Sequence, residues 1–443
     1  MKAGRHFRGR PASASLADGM TIAPPDYSLT CIQLQFTVQT TIGNRDVFIV
    51  PARQAPPCNW QNPGRGNHMH RAFFAYAMAC LVCLLPTIGC QKAAEPIPVI
   101  RIGHAPHDHH APLYVAAMNP EYFQKHGGIF LKEITFRQEY ELVADNRTVA
   151  RLLISSSPGG QELLRKLNED QFDLVFGGVP AMIDFIDQGS AMRILAPAMT
   201  EGAGLVVGKE LAAGSWPEFV EYVRASKTPV RIGYKNDVSV QNLIFEYGLR
   251  EVGITYGKGL DAPDVKVALL NLRGEKNLIP ALRDGLIDGF VINQPYMALA
   301  EQQGVGKYIA SLNELPPAGR WHGTPCCAVA GNTSSVAAQP KAMEALLTLL
   351  LRANRFLTEN QKTAAGQVAR WLDLPVEVEE KSLPTINFTV DFDKDWDRGV
   401  NFWIESMIQA DLLQGSLKEA YQTGHLNERL YDRALFDQVR NRL

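Results

Sequence analysis

Two stretches of the chain decide its fold, "KLNEDQFDLVFGGVP" at residues 166–180 and "ALRDGLIDGFVINQP" at residues 281–295. They align without gaps at an offset of 115 residues, so that Asp173 matches Asp288 and both stretches end on a proline. Each copy combines a helical pattern, an aspartate, an apolar run of strand length and that proline. Such a repeated unit indicates an internally duplicated architecture.

A second pair of stretches precedes the first. "IRIGHAP" at residues 100–106 matches "VRIGYKN" at residues 230–236, at an offset of 130 residues. Each copy is typical of a strand that ends in Arg-Ile-Gly and leads through a loop into a helix. Because both pairs keep the same order along the chain, they predict two similar α/β lobes.

Strand and helix patterns alternate from about residue 97 onward. The strand candidates are apolar without polar alternation, which is typical of strands buried on both faces of a parallel sheet. Predicted strands are Val99–Ala105, Asp173–Gly177, Met192–Ala198, Leu205–Gly208, Val230–Tyr234, Val265–Leu272, Gly289–Asn293 and Cys326–Ala330. Predicted helices are Pro112–His126, Gly160–Glu169, Pro180–Gln188, Pro217–Ser226, Ser239–Val252, Asn277–Asp284 and Pro295–Gln303, with Pro340–Glu359, Ala364–Leu372, Asp397–Gln409 and Leu417–Tyr421 in the C-terminal third. The fold class is therefore α/β, with mainly parallel sheets flanked by helices.

The N-terminal part of the chain does not have the pattern of a domain. Residues 1–68 carry seven basic and three acidic side chains and several Pro-, Gly- and Ser-containing stretches. No helical periodicity persists there, so we expect a disordered extension or a start codon assigned too early. The remainder of the chain is mildly acidic, which argues against nucleic acid as a partner.

Residues 69–89 have the pattern of an export signal. One arginine precedes an unbroken apolar run at residues 72–85, which is too short for an ordinary membrane span. The Gly89-Cys90 pair that follows resembles a bacterial lipoprotein processing site, although Thr87 stands where leucine is usual. We expect Cys90 to be lipidated and residues 90–96 to form a tether; the alternative is an uncleaved signal anchor.

A histidine-rich stretch, "HAPHDHHAP" at residues 104–112, follows the first Arg-Ile-Gly strand. Ligands of open parallel sheets bind beyond the carboxyl ends of the strands, which is where this loop lies. We therefore predict that His107, His109 and His110 contact a solute. A metal site, a catalytic cluster and packed histidines remain alternatives, because zinc would need four converging ligands and no nucleophile motif accompanies the loop.

Other strand-end residues join the predicted binding site. Gly177 and Gly178 would let the backbone approach a ligand closely, and Ser239 begins a helix in the second lobe. Gln294 and Tyr296 flank the proline of the second repeat, and Trp321 could stack on a flat ligand. Cys326 and Cys327 are expected to be reduced, with a vicinal disulfide as the alternative.

These motifs make the sequence similar to the periplasmic solute-binding proteins of ABC importers, in the branch of nitrate, sulfonate, taurine and thiamine-pyrimidine binders. The resemblance runs from about residue 97 to 413 and depends on an ordered set of stretches. They are "IRIGHAPHDHHAPLYVA", "DLVFGGVPAMIDFIDQGSAMRILAPAMTEGAGLVV", "PVRIGYKNDVSVQNLIFEYGLREVGI" and "IPALRDGLIDGFVINQPYMALAEQQG". No single motif is specific to the family, whereas the ordered set is.

The resemblance implies a two-lobed periplasmic-binding-protein fold of type II-like topology. Lobe 1 would comprise residues 97–203 and part of 319–443, which also holds the hinge return and C-terminal helices, and lobe 2 would comprise residues 204–318. It further implies a monomeric, membrane-anchored, extracytoplasmic protein that delivers a small polar or anionic organic solute to an ABC permease. No catalysis, metal or cofactor is expected. The alternatives are a metal-dependent binding protein, or an enzyme like the pyrimidine-forming enzyme of fungal thiamine synthesis, which shares the fold and carries a histidine and a cysteine-rich motif.

Overall fold

The computed structural model describes residues 96–157 and 159–443. The predicted extension, the signal segment and Cys90 lie outside the described residues. The strands are β1 (Val99–His104), β2 (Ile129–Thr135), β3 (Glu139–Ala144), β4 (Arg147–Ser156), β5 (Leu174–Gly178), β6 (Met192–Glu201), β7 (Ala203–Gly208), β8 (Val230–Tyr234), β9 (Tyr256–Lys258), β10 (Val267–Asn271), β11 (Gly289–Asn293), β12 (Gly306–Ser311), β13 (Pro325–Asn332) and β14 (Ile386–Phe388).

The α-helices pack against these strands and dominate the C-terminal third. They are α1 (Ala111–Met118), α2 (Pro120–Lys125), α3 (Gly160–Asn168), α4 (Val179–Asp187), α5 (Trp216–Ala225), α6 (Val240–Glu251), α7 (Leu278–Arg283), α8 (Tyr296–Gln302), α9 (Thr333–Ala338), α10 (Pro340–Glu359), α11 (Gln361–Leu372), α12 (Val376–Ser382), α13 (Lys394–Gln409), α14 (Ser416–Gln422), α15 (Leu426–Leu430) and α16 (Arg433–Arg440). Among the described residues, no helix combines the length and the apolar character that crossing a bilayer requires.

The strands form two sheets, which we call the large sheet and the small sheet. The large sheet has eight strands in the order β14-β6-β13-β5-β1-β4-β3-β2, and the small sheet has six in the order β12-β7-β11-β8-β10-β9. The chain passes from the large to the small sheet between β6 and β7, and returns between β12 and β13. The predicted α/β fold class is confirmed.

The repeat seen in the sequence forms the centre of each sheet. In the large sheet β1 is parallel to both β4 and β5, and in the small sheet β8 is parallel to both β10 and β11. An antiparallel strand follows on the outer side of each repeat, β13 beside β5 and β7 beside β11. The carboxyl ends of the repeated strands therefore lead into equivalent loops, as a parallel arrangement requires.

The mainly parallel pairing that we predicted describes the small sheet better than the large one. In the large sheet, β2, β3 and β4 form an antiparallel meander, and β5, β13, β6 and β14 also pair antiparallel. The loop between β3 and β4 explains part of this difference. It contains only Asp145 and Asn146, both with positive φ (51° and 58°), and this conformation suits a tight hairpin.

The predicted helix Pro112–His126 is divided into α1 and α2. Pro120 lacks the N–H group that would continue the hydrogen-bond ladder of α1, so it begins a new helix instead. The side-chain amide of Asn119 donates a hydrogen bond to the Val115 carbonyl (2.8 Å) and so satisfies one free acceptor at the end of α1.

Candidate functional site

The carboxyl ends of the central strands of both sheets border one small cavity, which we call the inner cavity. Its volume is about 30 Å³. Its lining from the large sheet and following loops includes His107, His110, Gly177, Gly178, Cys326 and Cys327, and its lining from the small sheet includes Lys235, Asn236, Ser239 and Gln241. Because both repeats contribute, the inner cavity occupies the position where this topology is expected to bind a ligand.

A second, wider space adjoins the inner cavity, and we call it the outer cavity. It has a volume of about 300 Å³. It shares Gln161, Lys235 and Asn236 with the inner cavity and extends to Arg273 and Glu275. A third cavity of about 660 Å³ lies beside Trp371. It is lined by strands of the large sheet and by residues next to them. Of these three spaces, the inner and the outer cavity combine residues that follow strands of both sheets.

The histidine loop forms a short 3₁₀ turn, Asp108–His110, between β1 and α1. The backbone N–H of Ala105 donates a hydrogen bond to Nδ1 of His110 at 2.9 Å. A neutral imidazole that accepts at Nδ1 must carry its proton on Nε2. Nε2 of His110 is buried and finds no hydrogen-bond partner among residues 96–157 and 159–443, so it offers a free donor beside the inner cavity.

Burial favours the neutral form of three histidines of this loop, His104, His107 and His110. His107 and His110 are 3% and 1% exposed, and burial lowers the pKa of each well below its ordinary value. Burial also lowers the pKa of His104 to about 4, and its Nδ1 lies 3.0 Å from the Tyr114 hydroxyl. These three histidines therefore offer neutral donors and acceptors near pH 7 rather than positive charge.

A lysine of the small sheet supplies the cationic group of the site. Nζ of Lys235 lies 3.2 Å from the Glu275 carboxylate and donates a hydrogen bond to the side-chain oxygen of Asn293 at 2.7 Å. The second carboxylate oxygen of Glu275 is buried and has no hydrogen-bond partner within the described part of the chain. The ammonium group is thus held in place at the junction of the two cavities by residues of its own sheet.

The helix starts around the inner cavity are placed as the sequence predicts, but their polar groups are partly occupied. Ser239 is the N-cap of α6: its hydroxyl accepts a hydrogen bond from the Asn242 N–H and donates one to the Asn236 carbonyl. Gly178 is the N-cap of α4 and has no side chain to satisfy the first N–H groups of that helix. The first N–H groups of a helix have no partner within the helix itself, so such a helix start suits an acceptor at the cavity wall.

Four of the predicted site residues line neither cavity: Gln294, Tyr296, Trp321 and His109. Gln294 accepts a hydrogen bond from the Ala298 N–H through its side-chain oxygen, and so caps α8. Tyr296 begins α8, and burial raises the pKa of its hydroxyl. Trp321 is 1% exposed, donates a hydrogen bond to the Pro316 carbonyl, and packs edge-on against Phe402 with ring centres 4.9 Å apart. Its role in this structure is packing.

His109 turns away from His110 toward two cysteines. Its Nδ1 lies 3.4 Å from Sγ of Cys326 and 3.8 Å from Sγ of Cys327, while its Nε2 lies 3.0 Å from the Gly202 carbonyl. Both cysteines are free thiols in the structure, and all three side chains are buried. This His-Cys-Cys group could hold a metal ion, since its three candidate ligand atoms lie within 4.8 Å of one another.

Comparison with known proteins identifies the family to which this chain belongs. A model of the NMT1-like family matches residues 93–373, which is more than half of the chain. The chain belongs to the NMT1-like family. Over 115 residues, 26% of this chain and 79% of the other, it is 32% identical to the uncharacterized protein MJ1180 of Methanocaldococcus jannaschii.

Solved structures share the fold of this NMT1-like chain. The zinc-bound ligand-binding component of an ABC-type import system from Staphylococcus aureus has a TM-score of 0.60 at 14% identity, with 77% of this chain and 99% of that chain covered. The periplasmic nitrate-binding protein NrtA of Synechocystis PCC 6803 has a TM-score of 0.59 at 14% identity, with 79% and 89% covered. These matches confirm the predicted resemblance to periplasmic solute-binding proteins of ABC importers.

The sequence of this NMT1-like chain did not reveal every residue of the site. Lys235 and Gln241 were overlooked, although Lys235 follows the second Arg-Ile-Gly strand directly and Gln241 lies at the start of the helix that Ser239 caps. Their positions in the repeat were a usable signal. By contrast, nothing in the sequence indicates that Glu379 lies beside Asp108, 271 positions earlier.

Proposed function

We propose that this protein is an extracytoplasmic, lipid-anchored solute-binding protein that captures a small polar or anionic organic solute and delivers it to an ABC permease. One observation carries the proposal. Two donors, the buried Nε2 of His110 and the partly buried Nζ of Lys235, come from opposite sheets and border the same inner cavity. A solute that bonds to both would hold the two sheets together, as expected for closure around a ligand.

The chemistry of the lining favours a solute with acceptor oxygen atoms. His110 offers a neutral donor, and Lys235 offers a charged one, which forms stronger hydrogen bonds to anionic oxygens. The buried side-chain oxygens of Gln241 and Glu275 have no hydrogen-bond partner within the described ranges. They suit a donor group elsewhere on the same solute. This combination of donors and acceptors favours an organic molecule that carries both acceptor oxygen atoms and a hydrogen-bond donor.

The volumes of the two cavities favour a solute with a small headgroup joined to a larger part. A water molecule needs roughly 10–15 Å³ of such space, so the 30 Å³ inner cavity suits a group of only a few atoms. The adjoining outer cavity of about 300 Å³ is at the lower end of ordinary ligand pockets, about 300–1,000 Å³. We propose that a carboxylate- or sulfonate-sized group enters the inner cavity and the rest of the solute lies in the outer one.

Titration of the purified protein with candidate solutes tests this function. Nitrate, bicarbonate, aliphatic sulfonates and pyrimidines are compared by thermal shift and then by calorimetry, since a bound ligand raises the unfolding temperature by mass action. With the solute that binds, Lys235→Met and His110→Ala should each weaken affinity about 10- to 100-fold. The matched controls Lys132→Met and His126→Ala alter exposed side chains and should leave affinity unchanged. Equal affinity in all four variants would remove this cavity from consideration.

The proposed lipid anchor and delivery need separate experiments. Cys90→Ser should move the exported protein from the membrane fraction to the soluble fraction, and mass spectrometry of the mature N terminus should find a diacylated Cys90 in the unaltered protein. Uptake of the identified solute should be lost when the gene is deleted. It should return with the unaltered gene but not with the Lys235→Met variant.

A further inference from the structure

We propose that His109, Cys326 and Cys327 form a binding site for a thiophilic metal ion, with Zn²⁺ as the ion that the geometry fits. His110 is not part of the proposed site, because its Nδ1 already accepts a hydrogen bond from the Ala105 N–H. The proposed metal site goes beyond the solute-binding function and does not depend on it.

The first argument is the tautomer of His109. Its Nε2 lies 3.0 Å from the Gly202 carbonyl, which can only accept a hydrogen bond, so this nitrogen carries the proton of the neutral ring. The lone pair is therefore on Nδ1, which faces the two sulfur atoms. Histidines that ligate metals commonly donate their other N–H to a backbone carbonyl in this way.

The second argument is the spacing of the three ligand atoms. With Zn–S of about 2.3 Å and Zn–N of about 2.0 Å, a tetrahedral ion separates two sulfurs by roughly 3.8 Å and a sulfur from a nitrogen by roughly 3.5 Å. In the structure the two sulfurs are 4.0 Å apart, and they lie 3.4 Å and 3.8 Å from Nδ1. Adjustments of a few tenths of an ångström would suffice to bind the ion.

The backbone of β13 makes this spacing possible. Successive residues of a regular strand point to opposite faces of the sheet, so Cys326 and Cys327 would normally diverge. The pairing of β13 with β6 shifts register on both sides of Cys327, between Pro325 and Cys327 and between Cys327 and Ala328. Such irregularities redirect side chains, and here they bring both thiols to His109.

Charge balance and access also favour the site. Binding of Zn²⁺ would release one proton from each thiol to solvent, and two thiolates with a neutral imidazole would offset the charge of the ion, which suits a buried position. Cys326 and Cys327 line the inner cavity. The fourth coordination position would thus be open toward the cavity, the arrangement of zinc sites that exchange a ligand rather than of closed structural ones.

Cobalt and zinc titration of the full-length, untagged protein under reducing conditions tests the site. We expect one Co²⁺ per chain, with a thiolate-to-cobalt charge-transfer band and tetrahedral visible bands that one equivalent of Zn²⁺ removes. The double variant Cys326→Ser plus Cys327→Ser should lose these bands. His109→Gln should weaken Zn²⁺ binding about 100-fold. His126→Ala is the matched histidine control and should bind as the unaltered protein does.

The other cysteines of the chain require their own control. Cys31, Cys58, Cys80, Cys83 and Cys90 are changed together to serine, and this variant should keep both the bands and the stoichiometry. The proposal fails if the unaltered protein shows no thiolate–cobalt band, or if the band survives in the Cys326→Ser plus Cys327→Ser variant. The first of these tests uses only the unaltered protein, so its outcome does not depend on whether a variant folds.

Discussion

The two sheets contain the same arginine–aspartate arrangement in different surroundings. In the large sheet Asp173 accepts hydrogen bonds from the backbone N–H and the guanidinium of Arg101, and in the small sheet Asp288 accepts the same bonds from Arg231. Each guanidinium also donates to a carbonyl three residues before the aspartate. The side chain of Asp173, however, is 5% exposed and that of Asp288 is 31% exposed.

This comparison separates what duplication retained from what it changed. The retained part is the strand framework, in which the repeats match bond for bond. The changed parts are the surroundings of that framework and the loops at the strand ends, where one copy supplies histidines and the other supplies Lys235. The same motif should therefore differ in energetic importance between the sheets, and binding chemistry should depend on the loops.

Removal of each aspartate's charge gives the largest expected contrast. We expect Asp173→Asn to lower the free energy of unfolding by about 3 kcal/mol, because it removes the charge of a buried carboxylate that accepts several hydrogen bonds. Asp288→Asn should cost about 1 kcal/mol, because solvent screens its more exposed carboxylate. Denaturant unfolding of both variants measures the difference. Equal losses would show that burial does not distinguish the two arrangements.

Substitution of two buried glutamates by glutamine should change the stability of the protein at pH 8 in opposite directions. Glu379 of α12 lies beside Asp108, and burial raises its pKa from 4.5 to about 7. Its folded-state pKa is above its unfolded one, so its contribution to stability is full below pH 4.5 and is lost as pH rises toward 7. Glutamine cannot ionise, so the Glu379→Gln variant should be more stable than the unaltered protein by about 2 kcal/mol at pH 8. At pH 4 the two proteins should differ little in stability.

Glu275 provides the matched control for that experiment. It pairs with Lys235, and the two side chains are only 3% and 13% exposed. Glu275→Gln leaves the lysine without its counter-ion and should destabilise the protein at pH 8, by about 1–3 kcal/mol. The stability of both variants is measured by thermal unfolding between pH 4 and 8. Loss of stability in the Glu379→Gln variant at pH 8 would contradict the raised pKa of this carboxyl group.

The Arg-Ile-Gly glycines should behave alike, which tests the retained part of the comparison. A Cβ atom at Gly103 would lie 2.8 Å from Leu163 and from Phe172, and one at Gly233 would lie 2.8 Å from Ile287 and 3.1 Å from Leu278. These neighbours occupy matching positions of the two repeats. We expect Gly103→Ala and Gly233→Ala each to cost about 1–2 kcal/mol from overpacking, as measured by chemical denaturation. A difference above about 1 kcal/mol would indicate that the two interiors have diverged.

Much of the fold could be predicted because buried parallel strands have a strong sequence signal. The bounds of β8 and β11 are those predicted, and their burial explains the continuous apolar runs. The meander of β2, β3 and β4 was missed because its outer positions are polar: β4, for example, alternates buried and exposed residues along much of its length. Such a strand lacks the apolar run on which the prediction depended.

The site was predictable only where it follows the repeat. His107, His110, Gly177, Gly178 and Ser239 line the inner cavity as expected from strand ends. Trp321 was assigned to the ligand because it lies near a chain crossing, but Phe402 of α13 packs on it, and no local pattern indicates that contact. The proximity of His109 to the cysteines depends on bulges in β13, which the sequence does not encode in a recognisable motif.

The smallest expected effect concerns the one bond that Asp173 has and Asp288 lacks. The Ser335 hydroxyl donates a hydrogen bond to Asp173 at 2.7 Å, and it comes from α9, outside the repeat. Ser335→Ala should cost about 0.5–1 kcal/mol, the usual net value of one such bond. In a double-mutant cycle with Asp173→Asn the losses should fall short of additivity, since Asp173→Asn removes the charge that strengthens the Ser335 hydrogen bond. The same serine substitution combined with Asp288→Asn should be additive, because Ser335 does not bond to the small sheet's aspartate. Non-additivity in the second cycle would mean that the two sheets are coupled, and that the contrast between their aspartates cannot be attributed to local burial.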